Sequence, residues 1–296
     1  MKSININSLL SLTAQTASSA ALPAGLYLVA TPIGNLRDIT IRALEVLSAA
    51  DYILCEDTRV TGKLLSAFDI KTRMLCYNDH NADKQRPGII AKIKDGGCIA
   101  LVSDAGTPLV SDPGYKLVRS CYEDDLPVTS LPGANAPLTA LQLSGMPSDN
   151  FCFLGFLPPK PDKRKAIFKQ WNDVHAPLIV FESAKRLQSC LADALSVLGD
   201  RQCAVVREMT KLYEESRRGA ISDLIAHYAE YGNPKGEVVI VYEGAHEKEY
   251  NDDDIKQMLR ECLKTEKVKA AASIIADKTG LSKTHIYDLA IKMKQE

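Results

Sequence analysis

Short apolar runs rich in β-branched residues alternate along the chain with stretches whose apolar positions recur every three or four residues. The runs are Leu26–Ala30, Tyr52–Cys55, Cys98–Val102 and Val128–Leu131, followed by Phe151–Phe156, Leu178–Phe181, Cys203–Val206 and Val238–Tyr242. Each predicts a strand. Between them, Ile39–Ser48 sets Ile39, Ala43, Val46 and Leu47 on one side, and Ala184–Leu198 does the same with Leu187, Leu191, Ala194, Leu195 and Leu198. Both follow the 3.6-residue period of an amphipathic helix. The alternation predicts an α/β chain of parallel sheets covered by helices.

Breaks in this pattern divide the chain. The densest lies at Pro158, Pro159 and Pro161, which cannot continue a helix interior or a central strand. A lesser one spans Ser144–Asn150. A boundary between about 145 and 150 gives an N-terminal lobe over 25–147 and a C-terminal lobe over 148–246. The proline-rich stretch then becomes an exposed loop after the second lobe's first strand. The acidic segment Glu247–Asp254 reads as a linker to a third unit over 250–296. There Ala276, Gly280 and Ile286 fall at helix-turn-helix spacing: a small residue where helices touch, Gly where the chain reverses, an apolar residue where the second helix docks. Ser282 is the expected N-cap of that second helix. A small packing module or dimer arm accounts for the same spacing. The first 24 residues carry one Lys and a weak apolar stretch, Leu9–Leu12, in a segment rich in Ser, Thr and Gln. They predict a disordered extension rather than a signal peptide.

Composition narrows the class. With 296 residues, 46% hydrophobic and 25% charged, the chain can bury the cores of two domains and a small appendage. No apolar run approaches the roughly 20 residues that span a bilayer, so no membrane segment is expected. Eight cysteines without a Cys-x-x-Cys pair read as free thiols of a reducing, cytoplasmic compartment, and five histidines show no metal spacing. Net charge is −1, but it is uneven. Residues 160–169 hold five bases (Lys160, Lys163, Arg164, Lys165, Lys169) against Asp162. Residues 264–296 hold seven Lys against four acids. Solvated helix faces and RNA-facing patches both fit such clusters.

Three loops follow first-lobe strands, where open α/β sheets collect ligands. They are Ala30–Asp38, Ser103–Gly114 and Leu131–Pro137, and each joins Gly, which lets a ligand approach the backbone, to Pro, which stiffens the turn. No phosphate-loop signature, no Gly-x-Gly-x-x-Gly after the first strand and no Gly-x-Ser-x-Gly elbow is present. Kinase, Rossmann dehydrogenase and α/β-hydrolase chemistry are therefore disfavoured.

The segments Leu28–Thr40, Glu56–Arg59, Asp79–Asn81, Val102–Pro108 and Ser111–Gly114, with Gly155–Pro158, Phe181–Ser183, Arg207–Lys211 and Lys235–Glu237, carry a specific likeness. Over Gly25–Gly244 the chain closely resembles the bacterial 16S ribosomal RNA (cytidine-2′-O)-methyltransferases of the tetrapyrrole-methylase superfamily. It departs from them at Ala134, where a Pro is usual.

The resemblance implies the two-lobed fold of class III S-adenosylmethionine methyltransferases, followed by a helix-turn-helix tail. It also implies an S-adenosylmethionine cleft between the lobes. Its first-lobe contacts would be Pro32, Gly34, Asp104, Ala105, Gly106, Thr107, Pro132 and Gly133. Glu182, Ser183, Gly236 and Glu237 would close over it from the second lobe, with the Arg207–Glu208 segment. The implied partners are 16S RNA in the 30S subunit and a second copy of the chain. A ribose hydroxyl is a poor nucleophile, so a base is expected among Glu56, Asp57, His80 and Asp104. A hydrogen-bonded turn histidine and an acidic helix start account for the first three equally well. Arg59, Lys185, Arg186, Lys211 and Lys283 are the candidates for RNA contact, against simple solvation. Two further readings use the same features: a porphyrin or corrin methylase, and a non-catalytic nucleic-acid-binding regulator.

Overall fold

The computed structural model describes residues 22–246 and 251–295. The extension expected over 1–24 lies outside these residues except for its last three, of which Leu22 packs on the first core. Contacts divide the chain into two compact units, one ending at Gly244 and one beginning at Ala245.

The first unit holds two five-stranded sheets. In the first, β1 (Gly25–Val29), β2 (Tyr52–Cys55), β3 (Met74–Cys76), β4 (Cys98–Val102) and β5 (Val128–Leu131) run parallel in the order β3-β2-β4-β1-β5. Alternate residues face opposite helical layers, as the two-residue period of a strand requires. Tyr27, Val29, Ile53 and Ala100 meet Ala43, Leu44 and Leu47 of α1 (Ile41–Ala49), together with Leu64 and Leu65 of α2 (Thr58–Ala67). Leu26, Leu54, Ile99 and Leu101 meet α3 (Ala82–Lys94) and α4 (Tyr115–Glu123) on the other side. Helix α1 begins two residues later than its apolar period predicts, because Thr40 accepts a hydrogen bond from Ala43 N–H and caps it.

The second sheet contains β6 (Cys152–Phe156), β7 (Leu178–Ser183), β8 (Gln202–Arg207), β9 (Glu215–Ala220) and β10 (Glu237–Tyr242) in the order β6-β7-β10-β8-β9. Only β6 and β7 are parallel; the other three pairings are antiparallel. This corrects the expectation of parallel sheets throughout. Strands buried on both faces read as continuous apolar runs in either direction, and β8 turns directly into β9 without a crossover helix. Val239 and Val241 face α5 (Ala136–Ser144), whose Ala140 and Leu141 also meet Ile179, Ala204 and Val206. A boundary at 145–150 groups this helix with the first lobe by sequence, yet its apolar face is spent on the second sheet. The opposite face, with Val238, Ile240 and Tyr242, is covered by α6 (Pro161–Gln170), α7 (Leu187–Leu198) and α8 (Ile221–Tyr231).

Helix α6 corrects a second expectation. Pro161 does not extend an exposed loop but occupies the first helical turn, where no backbone N–H bond is lost. Nor is the basic run 160–169 a uniformly solvated face. Arg164 is 1% exposed, its Nε lies 2.8 Å from Asp193 Oδ2 of α7, and Lys165 meets the same carboxylate from the surface at 3.4 Å.

The second unit is a three-helix module of α9 (Asp252–Cys262), α10 (Val268–Thr279) and α11 (Lys283–Gln295) around Ile255, Leu259, Ile275, Ile286 and Ala290. Gly280 takes the left-handed conformation (φ 69°) that ends α10, and its N–H bonds to the Ala276 carbonyl at 2.9 Å. Ser282 directly precedes α11 and its carbonyl accepts from Ile286 N–H. Asp252–Asp254, read from sequence as linker, form the first turn of α9 behind a capping box at Asn251, where acids complement the helix dipole. Among the described residues no helix is long and apolar enough to cross a membrane.

Removing Arg164 leaves Asp193 with only a peripheral lysine. Arg164→Ala is expected to lower unfolding free energy by about 3 kcal/mol in urea titrations, whereas Lys163→Ala changes it by less than about 0.5 kcal/mol.

Candidate active site

The first sheet's register sets the site. Val29 lies opposite both Val102 and Leu131, and Leu54 opposite Leu101, so four strands end together and their loops leave from one edge. Those loops are laced to one another. Thr31 and Gly106 exchange two backbone hydrogen bonds of 2.8 and 2.9 Å, forming an antiparallel bridge outside the sheet. Thr31 Oγ1 donates to the Ser103 carbonyl, and Ser103 Oγ donates to the Gly106 carbonyl. Thr107 Oγ1 donates to the Ala134 carbonyl and accepts from Asn135 Nδ2, both at 3.2 Å, which ties the second loop to the third. Residue 134 thus contributes a carbonyl that any residue would offer. Gly133 is required by proximity, since a Cβ there would lie 2.7 Å from that of Ala30.

Above these loops a cavity of about 960 Å³ opens toward the second lobe. That is the size class of a small-molecule site. Ile33, Phe181, Met209 and Val239 give it an apolar lining. Among the residues singled out by sequence, Asp104, Ala105, Gly106 and Thr107 line it from the first lobe, and Glu182, Ser183, Lys185, Gly236 and Glu237 from the second. Pro32, Gly34, Pro132 and Gly133 belong to the same laced loops but not to its lining. Gly34 instead abuts the second lobe, where a Cβ would lie 2.5 Å from Lys211 Cγ.

Several groups around the cavity are held in conformations that cost free energy. Leu109 and Ser111 have φ of 72° and 66°, and Glu208 and Thr210 have 48° and 66°. Left-handed backbone at non-glycine residues persists where surroundings over-determine it, and it clusters at functional sites. Gly236, at φ 97°, leaves room for the Glu208 carboxylate, which accepts Glu237 N–H and binds Lys211 Nζ at 2.9 Å.

Carboxylates gather on the first-lobe side. Asp104 lines the cavity and accepts the Asp57 N–H at 3.2 Å; burial raises its pKa, with the Asp57 charge adding to the effect. Glu56 is raised by burial and then by the charges of Asp104, Asp79 and Asp57. Asp112, which also lines the cavity, is pushed up to about 6, first by burial and then by Glu56 and Asp104. Asp112 was not picked out by sequence reasoning, although its Ser111–Gly114 segment was. Its signal is location, on the same strand-end loop as Asp104.

The other candidates sit differently. Asp57 caps α2 and is held down to about 2 by the Arg59 guanidinium and backbone N–H, so both are spent on each other. His80 is an exposed turn residue whose N–H bonds to Asn78 Oδ1, away from the cavity lining. Arg186 is paired with Glu182 at 2.6 Å. Lys211 bridges Glu208 and Glu237; burial would lower its pKa, but those two bonds outweigh burial and raise it. Lys185 has no ion pair among the described residues, and Lys283 Nζ, in the three-helix module, meets Ser273 Oγ at 3.1 Å. Glu182 is 2% exposed; one oxygen takes Arg186 and the Ser183 N–H, while the other has no hydrogen-bond partner. Glu182 shares the strand face of Leu178 and Val180, and its charge acts on Cys190 and Tyr242 in the second core, on the side of the sheet opposite Ile179 and Phe181.

The model of the Tetrapyrrole (Corrin/Porphyrin) Methylases matches residues 25–225. The chain belongs to the tetrapyrrole methylases. Residues 250–294 match the RsmI C-terminal HTH domain. The Ribosomal RNA small subunit methyltransferase I of Mesorhizobium japonicum is 45% identical over 92% of this chain and 93% of its own length. The protein of that name from Erythrobacter litoralis is 47% identical over 94% and 98%. Among solved structures, a cobalt precorrin-4 methyltransferase superposes with a TM-score of 0.54 at 17% identity, covering 74% of this chain and 94% of that one. At that identity the likeness is one of fold.

In this methylase the folded pKa of Asp112 lies above the ordinary carboxylate value. Ionising it therefore weakens the fold as pH rises from about 4 to about 6, and the deficit persists above that window. Asp112→Asn is expected to be more stable than wild type by about 1 kcal/mol at pH 7.5, allowing for solvent screening of a half-buried group. The difference should vanish below about pH 4 in thermal melts across pH.

Proposed function

We propose that this methylase transfers a methyl group from S-adenosylmethionine to the 2′-hydroxyl of a cytidine ribose in the 16S RNA of the small ribosomal subunit. The observation carrying the proposal is that one chain joins the laced-loop methylase cavity to the three-helix tail, in the arrangement shared with the named small-subunit ribosomal RNA methyltransferases.

The cavity fits the donor by charge and shape. S-adenosylmethionine supplies an electrophilic methyl on a sulfonium. Asp104 sets negative charge where that cation would be held, and Ile33, Met209 and Val239 offer an apolar wall. The protein's remaining work is to orient the ribose oxygen and take its proton. Asp112 is best matched to that task, because a base works best with a pKa near the operating pH. Glu56 and Asp104 tune it through their charge. Asp57, paired with Arg59, and the outlying His80 are left with structural roles. Lys185 and, in the tail, Lys283 are the proposed RNA contacts, while Arg59, Arg186 and Lys211 brace the site. The lobes are proposed as 25–147 and 148–246, with the tail over 250–296. The enzyme is proposed to act in the cytoplasm as a homodimer, which light scattering tests.

Incubated with labelled S-adenosylmethionine and 30S particles lacking the modification, the protein is expected to label 16S RNA. The label should leave alkaline hydrolysis in a dinucleotide, because a methylated 2′-oxygen cannot attack the adjacent phosphate. No label in 16S RNA ends the proposal. Asp112→Asn should lower kcat about 100-fold or more while leaving calorimetric donor affinity within about threefold. Because the base must be ionised, wild-type kcat should rise with pH through about 6 and then level off.

A further inference from the structure

Phe156 is 63% exposed although it closes a strand and lines the cavity. The reason is local. Gly155 has a left-handed φ of 65°, and the β6–β7 register shifts between Phe153 and Phe156. A glycine bulge of this kind re-aims the following side chain and recurs beside active sites. The ring it presents is braced from behind. Its centroid lies 5.2 Å from that of Phe181, which in turn packs edge-on against Phe153 at 4.9 Å. One exposed ring needs no explanation by itself, but this one lies on a cavity wall, where a planar ligand group can cover it.

Two observations identify what covers it. The same bulge sets Gly155 against the loop of the proposed base, where a Cβ would lie 3.2 Å from Ser111 Oγ, next to Asp112. Phe156 therefore stands on the acceptor side of the cavity. Lys185 and Lys235 also line the cavity, and neither has an ion pair among the described residues, unlike Arg186 and Lys211. An open aromatic face beside unpaired ammonium groups is the signature of single-stranded RNA recognition, in which splayed bases stack and lysines follow the backbone.

Resting on the function proposed above, we propose that Phe156 is the stacking shelf for the nucleobase of the nucleotide being methylated. Lys185 and Lys235 hold the flanking phosphates. The shelf fixes the extruded base so that its ribose reaches Asp112.

Steady-state methylation of 30S particles, calorimetric S-adenosylmethionine affinity and anisotropy with a labelled cytidine oligonucleotide test this on Phe156→Ala, Phe156→Leu and Phe156→Trp. Stacking is worth about 1–3 kcal/mol per base, so the alanine and leucine variants should raise the acceptor KM and oligonucleotide Kd roughly 5- to 150-fold. Tryptophan should stay within about threefold of wild type, and donor affinity within about twofold in all three. Combined Lys185→Ala and Lys235→Ala should flatten the slope of log affinity against log salt by about 1.4. Wild-type behaviour of the leucine variant, or a parallel fall in donor affinity that assigns the ring to the donor's adenine, overturns the shelf. An unchanged salt slope overturns the phosphate contacts. A wild-type enzyme inert on ribosomal RNA defeats the proposed function instead, and the oligonucleotide titration still decides whether the ring stacks a base.

Discussion

The paired hydrogen bonds between Thr31 and Gly106 join two loops that have left the first sheet, and the site is organised around that bridge. Loops at strand ends ordinarily answer their backbone polar groups with water and wander accordingly. Here the Thr31, Ser103 and Thr107 hydroxyls join the backbone in satisfying three loops from within. With much of the backbone occupied, Asp104 and Asp112 are the ionisable side chains that these loops turn to the cavity. The lacing works only because β1, β4 and β5 end in register, so the acidic pocket is a consequence of strand pairing as much as of loop sequence.

The second lobe is fitted to this fixed surface by packing and by charge. Ile33 of the first loop enters the apolar layer formed by Ala140, Leu141 and the strands of the second sheet. Beside it, Gly34 leaves space for the Lys211 stem, while the ammonium group is held between Glu208 and Glu237. Positive φ at Glu208 and Thr210 shapes the segment that brings Met209 to the cavity. Such strain is tolerated because ion pairs and close packing leave few alternatives, which pre-sets the cavity before any ligand enters.

Most of the strands were legible because apolar runs in covered sheets have few competing explanations. Two were not. β3 is only three residues long, and β9, Glu-Ser-Arg-Arg-Gly-Ala, is polar because it lies at a sheet edge, where pairing rather than burial defines the strand. Strand direction in the second sheet was hidden for the converse reason, since an apolar run has no polarity. Burial of Arg164 was invisible because its partner Asp193 lies a helix away in sequence. In the site, backbone-shaping glycines announced themselves, whereas side-chain roles did not. Whether a lysine faces solvent or a carboxylate depends on residues such as Glu208 and Glu237, distant in the chain from each other. The Asp112 environment likewise arises from burial, from Glu56 on a neighbouring strand-end loop and from Asp104 earlier in its own.

The two outer strands of the second sheet, β6 and β9, pair on one side only among the described residues. An unpaired ladder invites another chain to add a strand, which is how many sheets begin to aggregate. β9 presents Glu215, Arg217 and Arg218 along its length, and the Gly155 bulge breaks the regular spacing of β6. The same kink that turns a ring toward the cavity thus also spoils a template for edge-to-edge association. Protection of the sheet edge and the shape of the cavity's lip are, at that glycine, a single property of the backbone.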